Sequence, residues 1–439
     1  DIIQIDRVRI WDIYRYRLQN FSTITPNPKQ SKNYISLLKS IWITIWRLKS
    51  QLSSVDSFVF LRHPRLTSIG NDTLKDIYSD DLIKDTKKDK NCIIFDPLYI
   101  HNEAVEYKNN TNIPTSSIYI LVGLLYKILA PFNYYRFSKS KSLYIFYTHI
   151  QEFLPIGWSY EDFKHDIFNI VYKFKLHRFV WTLIFRYLRP KFLILTLSYG
   201  NEAVIDAARK CGVTVVELQH GSPVIGKLNY DYKSGVTKTY VPDIFFSFGG
   251  FMHEQLPKLP HKKVIPLGFA HFTKFIKQQD YEKKDRQNKN ILILSQPKVD
   301  DKLQKWLLEN MKFLVNYNIE IRLHPSYDQM DTLPFSQIDC TITKSKDYPL
   351  YSYINTFDIV LGCFSTALYE ARALGLDAYI IPGEHESLIK HFIQEGHGVL
   401  LPEKIDSEFI KNNPNFGDYN HIFKDYTFDE FLFSLEVKA

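Results

Sequence analysis

The chain has 439 residues, more than one hydrophobic core usually serves, so two domains are expected. A hydrophobic fraction of 45% with 15% aromatic residues suits folded cores and argues against extensive disorder. The formal charge of +7 is modest, and the basic residues are spread along the chain without a recognition motif, so no nucleic-acid partner is expected. The four scattered cysteines have no spacing typical of a zinc site or a disulfide framework.

The first part of the chain contains an aromatic-rich segment, two strand-like runs and one long apolar run. Residues 1–55 are predicted to form a helical extension of the first domain, and the runs at 57–61 and 91–97 predict buried strands. The apolar run at 118–131 is interrupted by Lys127, so we expect it to be too short to span a bilayer, which needs ~20 apolar residues. No secretory signal is visible, and a cytoplasmic protein is expected.

The stretch 166–188 is amphipathic, aromatic and basic, with apolar residues at helical spacing. Packing of this helix against a sheet explains the apolar residues. The alternative is attachment to an anionic membrane surface, which the basic face would favour. That alternative implies a peripheral contact with the inner face of the plasma membrane.

From residue 192 onward, short apolar runs alternate with helical segments. Strands are predicted at 192–196, 213–217, 244–248 and 264–268. A helix is predicted at 201–210, ending at Gly212. This alternation is typical of a doubly wound parallel sheet.

A charged stretch, 278–289, indicates a linker, and the same alternation then resumes. Strands are predicted at 290–294, 319–323, 358–362 and 378–383. The expected fold is therefore α/β, with two tandem Rossmann-like domains facing across a cleft. The predicted domains are an N-terminal one over 1–277, a C-terminal nucleotide-binding one over 290–417, and a final helix in 418–439 that packs back on the first domain.

One strand of the first domain ends in a His-Gly-Ser-Pro corner that begins at His220. This position is the carboxyl edge of the sheet, where open α/β sheets bind ligands. A histidine there can accept a proton near neutral pH, which indicates a general base. The alternative is a strand-end histidine that only hydrogen-bonds a carbonyl. Glu217 is the alternative base, or the group that orients His220.

Strand ends of the second domain carry a set of polar residues suited to a nucleotide phosphate. A proline fixes the backbone after one histidine, and two hydroxyls begin a helix whose free N–H groups favour an anion. A glutamate one turn along that helix can accept hydrogen bonds from ribose hydroxyls. The predicted nucleotide-binding residues are Ser295, Gln296, Arg322, His324, Pro325, Ser365, Thr366 and Glu370.

Each of these residues also has an ordinary structural interpretation. Ser365 can be only a helix N-cap, and Glu370 only a solvated charge on a helix face. The sequence His324-Pro325 can be an ordinary turn, because His63-Pro64 also follows a predicted strand. Their placement on successive strand-to-helix corners of one domain favours a nucleotide pocket.

One segment of the second domain resembles the nucleotide-binding half of GT-B glycosyltransferases. Its sequence is Leu361-Gly362-Cys363-Phe364-Ser365-Thr366-Ala367-Leu368-Tyr369-Glu370-Ala371-Arg372-Ala373-Leu374-Gly375. The His-Pro and Ser-Thr pairs resemble the motifs by which bacterial sialyltransferases and capsule Kdo transferases hold CMP-sugars. In those families an acidic residue before a glycine is the base, whereas His220 stands there in this chain. His220-Gly221-Ser222-Pro223 instead resembles the His-Gly-Thr-Pro element of teichoic-acid glycerophosphotransferases, where histidine is the proposed base. The resemblance covers roughly residues 190–385.

This resemblance implies an enzyme of bacterial surface-polysaccharide synthesis, of capsule or lipopolysaccharide. We expect an inverting glycosyltransferase without metal or other cofactor, which uses a nucleotide-sugar donor, CMP-sugar favoured, and a saccharide or lipid-linked saccharide acceptor. No Asp-x-Asp element follows a predicted strand. Two alternatives remain open, a CDP-glycerol or CDP-ribitol type polyol-phosphate transferase and a non-catalytic nucleotide-binding scaffold subunit.

Overall fold

The computed structural model describes residues 4–20, 34–50, 57–63, 66–68, 74–96, 112–221, 230, 238–254, 259–278, 290–297, 299–327, 334–345, 347, 350–406 and 422–436. These residues form two larger parallel β-sheets, one of seven strands and one of six, each with helices packed on its faces. The predicted fold class, α/β with two tandem Rossmann-like units, is confirmed.

The first part of the chain contributes the seven-stranded sheet, its helices and two short antiparallel pairs. The strands are β1 (Gln4–Ile5), β2 (Val8–Arg9), β3 (Phe58–Leu61), β4 (Thr67–Ser68), β5 (Leu74–Lys75), β6 (Cys92–Asp96), β7 (Ile113–Pro114), β8 (Phe192–Leu195), β9 (Thr214–Leu218), β10 (Ile244–Ser247) and β11 (Lys263–Pro266). The helices are α1 (Ile10–Asn20), α2 (Tyr34–Ser50), α3 (Asp80–Asp89), α4 (Ser116–Ser138), α5 (Lys141–Ile150), α6 (Tyr160–Leu188), α7 (Glu202–Lys210), α8 (Gly250–Glu254) and α9 (Ala270–Gln278).

The strand order of this first sheet is β11-β10-β9-β8-β3-β6-β7, and its pairs are all parallel. Strands β3, β8 and β10 are buried along their whole length, as expected for apolar runs covered on both faces. From β3 the chain adds strands toward one edge, and from β8 it adds them toward the other. The direction therefore switches between β3 and β8, and ligands bind at the carboxyl edge of such switch points.

The second part of the chain contributes the six-stranded sheet. Its strands are β12 (Asn290–Leu294), β13 (Asn318–Arg322), β14 (Thr341–Thr343), β15 (Ile359–Gly362), β16 (Asp377–Ile380) and β17 (Val399–Leu400). Its helices are α10 (Asp300–Leu314), α11 (Leu350–Tyr353), α12 (Thr366–Ala373), α13 (Lys390–Gln394) and the C-terminal α14 (Phe428–Glu436). The order β14-β13-β12-β15-β16-β17 is parallel throughout, with its switch point between β12 and β15.

The C-terminal segment runs back over the first sheet. The ring of Phe431 on α14 packs 5.7 Å from that of Phe246 on β10. Gly268 permits this path, because a Cβ there would lie 2.3 Å from the carbonyl oxygen of Lys424, and its φ is +100°. The predicted linker 278–289 falls outside the described residues except for its first residue, as does most of the boundary near 417.

The apolar run at 118–131, which contains Lys127, lies within one continuous helix. Helix α4 has 23 residues and passes through both Lys127 and Pro131. By length and composition it is long enough to cross a bilayer, so the prediction that this run is too short is wrong. Lys127 is a single polar residue within the apolar sequence and Pro131 removes one backbone N–H donor, but the helix continues past both residues.

Candidate functional site

Three side chains of the first domain meet at the switch point of its sheet. His63 follows β3, Tyr199 follows β8 and His220 follows β9, so each lies at the carboxyl end of its strand. The imidazole centroid of His63 lies 5.7 Å from that of His220, and the Tyr199 ring lies 5.6 Å from it. Two imidazoles and a phenol thus line the edge where a ligand is expected.

The imidazole of His220 is held between two tyrosine hydroxyls. Its Nε2 lies 2.8 Å from the hydroxyl oxygen of Tyr199, and its Nδ1 lies 3.3 Å from that of Tyr230. The ring is partly exposed. The structure therefore gives both ring nitrogens of His220 side-chain hydroxyl partners.

Glu217, three residues before His220, has no exposed surface. Its carboxylate accepts hydrogen bonds from the backbone N–H of Ser198 at 3.0 Å, from the hydroxyl of Tyr230 at 2.8 Å and from Nε2 of His261 at 3.0 Å. Burial alone would raise the pKa of Glu217, but the hydrogen bonds from His261 and Tyr230 outweigh it and lower the pKa. Because it is enclosed, this carboxylate acts on other side chains and does not reach an acceptor.

These contacts determine which atom donates and which accepts in each hydrogen bond. An ionised carboxylate only accepts, so Tyr230 donates its one proton to Glu217. The Tyr230 oxygen then accepts from Nδ1–H of His220, which leaves Nε2 as the basic nitrogen of the neutral ring. The chain Glu217, Tyr230, His220 therefore orients the imidazole with Nε2 directed toward Tyr199.

Sequence reasoning missed five residues of this cluster: His63, Tyr78, Tyr199, Tyr230 and His261. The ring of Tyr78 lies 5.3 Å from His63 and 6.3 Å from His220. A signal for His63 was present, because His63-Pro64 repeats the strand-end pattern of His324-Pro325. The same repeat also fits an ordinary turn, so the sequence alone does not single out His63 as a site residue. Nothing in the local sequence pointed to Tyr78.

In the second domain, the predicted residues Ser295 and Gln296 lie at the switch point itself. Gln296 accepts from the backbone N–H of Phe364 at 3.0 Å and so joins the end of β12 to the end of β15. The hydroxyl of Ser295 donates to Asp300 at 3.0 Å and accepts from the backbone N–H of His324 at 3.3 Å. These bonds hold the strand-end loops at fixed positions relative to each other.

The partly exposed His324 stands at the end of β13, and Pro325 begins a short 3₁₀ turn after it. The backbone N–H of Ser326 donates to Nδ1 of His324 at 3.2 Å. Because Nδ1 accepts, the proton of the neutral ring sits on Nε2. This tautomer presents an N–H donor, as an anionic ligand requires.

Ser365 caps helix α12, since its hydroxyl oxygen accepts from the backbone N–H of Ala367 at 3.3 Å. The structural interpretation of Ser365 as an N-cap is therefore correct, and its hydroxyl proton is still available for donation to a ligand. Thr366 is the first residue of the helix, and its side chain is partly exposed. The first turn of α12 thus combines two hydroxyls with the positive end of a helix dipole.

Glu370 and Arg322 lie inside the second domain. Glu370 is buried, so it is not a solvated charge on a helix face. Burial raises the pKa of Glu370 to about 7, against the opposing effects of the Tyr351 hydroxyl and the Arg322 charge. The Arg322 guanidinium donates to the Tyr353 hydroxyl at 2.9 Å. The roles of Arg322 and Glu370 as contacts of the nucleotide stay predictions, because both side chains are buried in the second domain.

The two domains approach each other at Gly221 and Thr366. A Cβ placed on Gly221 would lie 3.5 Å from Oγ1 of Thr366. The His-Gly corner of the first domain therefore lies beside the α12 N-terminus of the second. Ser222, Pro223 and Lys227, which follow Gly221 in the sequence, lie outside the described residues. Within the described ranges, no group of three or more His, Cys, Asp or Glu side chains is arranged to hold a metal ion.

The sequence matches no protein-family model and no curated protein. Among solved structures, the chain is similar to UDP-GlcNAc 2-epimerase from Neisseria meningitidis bound to UDP-GlcNAc, with 12% identity, a TM-score of 0.48 and coverage of 88% of this chain and 100% of that one. It is also similar to Acinetobacter baumannii MurG, with 9% identity, a TM-score of 0.38 and coverage of 79% and 86%. A third similar structure is the wall teichoic acid polymerase TagF, with 9% identity, a TM-score of 0.43 and coverage of 97% of each chain.

Proposed function

We propose that this protein is an inverting, metal-independent transferase that moves a sugar from a nucleotide-activated donor, with a CMP-sugar favoured, to a saccharide acceptor. The observation that carries the proposal is the approach of Gly221 to Thr366. It sets an oriented imidazole of the first domain opposite a helix N-terminus of the second. A base and an anion site on facing strand ends are the two groups that such a transfer needs.

The proposed reaction is a single displacement. The acceptor oxygen attacks the anomeric carbon and forms the new glycosidic bond while the bond from that carbon to the phosphate oxygen breaks. The acceptor proton passes to Nε2 of His220, and the electron pair of the broken bond leaves with the nucleotide phosphate. In the free enzyme Nε2 contacts Tyr199, so the acceptor hydroxyl takes the place of the Tyr199 hydroxyl.

The negative charge that grows on the departing phosphate needs donors in the second domain. His324 supplies an N–H on Nε2, and Ser365 and Thr366 supply hydroxyls at the first turn of α12. Charge stabilisation of this kind is commonly the largest contribution to catalysis. Ser295 and Gln296 hold the two loops that carry these groups.

The acceptor side of the site suits a saccharide. His63, Tyr78 and Tyr199 place aromatic faces and polar atoms around His220. Aromatic rings with polar edges bind sugars through both their apolar and hydroxyl faces. A free or lipid-linked saccharide would therefore occupy the space beside the His220 ring.

Two measurements on purified protein test the proposal. A thermal-shift screen with CMP, CDP, UDP and GDP identifies the nucleotide, since a bound ligand raises the unfolding temperature. Incubation with the matching nucleotide-sugars and saccharide acceptors, followed by NMR of the product, then detects an inverted glycosidic linkage. Nucleotide binding without turnover of any donor would instead identify a binding or scaffold subunit.

A second candidate, transfer of a polyol phosphate from a CDP-activated donor, has one observation in its favour. The residue before Gly221 is a histidine, where the resemblance to CMP-sugar transferases implies an acidic residue. The same pocket would then promote attack at phosphorus. The product distinguishes the two reactions, because one forms a glycosidic bond and the other a phosphodiester.

A further inference from the structure

Helices α2, α4 and α5 of the first domain expose large apolar side chains. Phe132 is 81% exposed, Tyr135 68% and Trp42 67%. Single exposed apolar residues are ordinary, but clusters of them mark an interaction surface. The residues that define this apolar face are Trp42, Trp46, Ile128, Phe132 and Tyr135.

On α4 four of the exposed apolar residues form one stripe. Leu124, Ile128, Phe132 and Tyr135 follow one another at i, i+4, i+8 and i+11 and so share one side of the helix. The other side of α4 packs on α6, where the Tyr134 ring stacks 4.6 Å from His165 and Tyr126 packs on Tyr172 and Phe168. The stripe therefore points away from the protein.

Neighbouring helices extend this face. Helix α2 packs beside α4, and its exposed side chains Trp42, Ile45 and Trp46 recur at i, i+3 and i+4. In α6, for which a membrane contact is the alternative prediction, Phe168, Val171 and Phe174 are buried in the helical core, whereas Phe179, Leu183 and Tyr187 are exposed. Among these helices, the two most exposed apolar side chains, Phe132 and Tyr135, lie on α4.

The charge of the face has one sign. Helices α2, α4 and α5 contain no aspartate or glutamate. Lys127 and Arg136 are exposed and flank the two edges of the α4 stripe, and the Lys139 ammonium lies 4.0 Å from the centre of the Tyr135 ring. An apolar stripe between basic edges complements the acyl chains and the phosphates of an anionic lipid layer.

We propose that this face docks on the surface of an anionic lipid bilayer, with the α4 stripe in the interface and its basic edges at the headgroups. Tryptophan and tyrosine favour that boundary, since each has an apolar ring and a polar atom. A second copy of the chain fits less well, because a two-fold interface would set Lys127 and Arg136 of one copy against basic residues of the other.

The helix lies on the bilayer and does not cross it. Val122, Ala130 and Phe137 of α4 are buried against the rest of the domain. Insertion across a membrane would remove these contacts and would take Lys127 and Arg136 into hydrocarbon. Docking leaves the helix in place and buries only its outer stripe.

Flotation of the full chain with vesicles tests this proposal. We expect binding to phosphatidylcholine vesicles that contain phosphatidylglycerol, and much weaker binding to pure phosphatidylcholine. Phe132→Ser should reduce binding roughly tenfold or more, as burial of one phenylalanine predicts. The matched control is Phe433→Ser, since Phe433 is 67% exposed on α14, away from this face.

A double substitution of the basic residues tests the electrostatic part of the proposal independently. Lys127→Gln with Arg136→Gln should lower binding to anionic vesicles by about fivefold per residue, while Lys305→Gln with Lys312→Gln on the exposed side of α10 should not. All four proteins should unfold at the same temperature. Equal binding by Phe132→Ser and Phe433→Ser would overturn the proposal. So would a dimer in solution that Phe132→Ser dissociates, or protein that resists extraction from membranes at alkaline pH.

Discussion

Gly221 of the first domain and Thr366 of the second lie in contact range, such that a Cβ on the glycine would be 3.5 Å from the threonine hydroxyl oxygen. Each residue belongs to a strand-to-helix corner of its own sheet, at the carboxyl edge. This contact puts His220 next to the N-terminus of α12. The proposed chemistry depends on this contact between the two domains.

Substitution Gly221→Ala separates backbone strain from contact with the second domain. Gly221 has φ +65°, and a left-handed conformation costs a non-glycine residue ~1–2 kcal/mol, so we expect that loss of stability in a denaturant titration. Gly212→Ala is the matched control, because Gly212 has φ +73° with nothing within 4 Å and lies between α7 and the start of β9, at the other end of that strand from His220. Both variants should lose similar stability, but only Gly221→Ala should impair turnover. Equal turnover in the two variants would show that the His220-Gly221 corner is not part of the active site.

Substitution Tyr230→Phe tests the orienting role of Glu217. The variant removes the hydroxyl that joins Glu217 to Nδ1 of His220. We expect kcat/KM to fall roughly tenfold, the value of one hydrogen bond of ~1.4 kcal/mol. The pKa on the acidic limb of the rate profile should also fall, because the imidazolium loses a negatively polarised partner. A lower rate with an unchanged pH profile would assign Tyr230 a purely structural role.

Substitutions His324→Ala and Ser365→Ala test the phosphate side. Each removes a donor proposed to contact the phosphate, so each should weaken nucleotide binding by ~1.5–3 kcal/mol, as for a hydrogen bond to a charged group. Isothermal titration with the nucleotide identified by the screen measures this loss. Because Ser365 also caps α12, its variant requires a parallel measurement of thermal stability. Unchanged affinity in both variants would place the phosphate elsewhere.

Substitution Glu370→Gln tests the buried carboxyl through the pH dependence of stability. The folded protein raises the pKa of Glu370 from its ordinary 4.5 to about 7, so the neutral form is favoured in the folded state. The contribution of Glu370 to stability is therefore complete below pH 4.5 and is lost as pH rises to about 7, on the order of 3 kcal/mol at 1.36 kcal/mol per pKa unit. Glu370→Gln should lack this loss. Relative to wild type, its unfolding temperature should rise between pH 5 and pH 8, and parallel curves would contradict the assignment.

The strands and the fold class could be predicted from the sequence because runs such as 192–195 and 359–362 are apolar on both faces of their sheets. Burial of both faces leaves a pattern that periodicity detects. Short edge strands such as β7 and β17 have only two residues each and leave no such pattern.

The composition of the candidate site depended on contacts that sequence spacing does not encode. His63 lies beside His220 because the sheet places β3 two strands from β9, although the two residues are far apart in the chain. Glu217 and Glu370 are carboxylates whose burial is set by tertiary packing rather than by their neighbours in sequence. The sequence therefore predicted which residues lie at strand ends, but it did not predict which side chains contact each other there.

The most direct test compares His220→Ala with wild type in two measurements on the same preparations, donor turnover at saturation and nucleotide affinity by calorimetry. His220 as general base predicts that turnover falls ~10²–10⁴-fold while the nucleotide dissociation constant stays within about threefold, well under 1.4 kcal/mol. Near wild-type turnover of His220→Ala would contradict the assignment of His220 as the base.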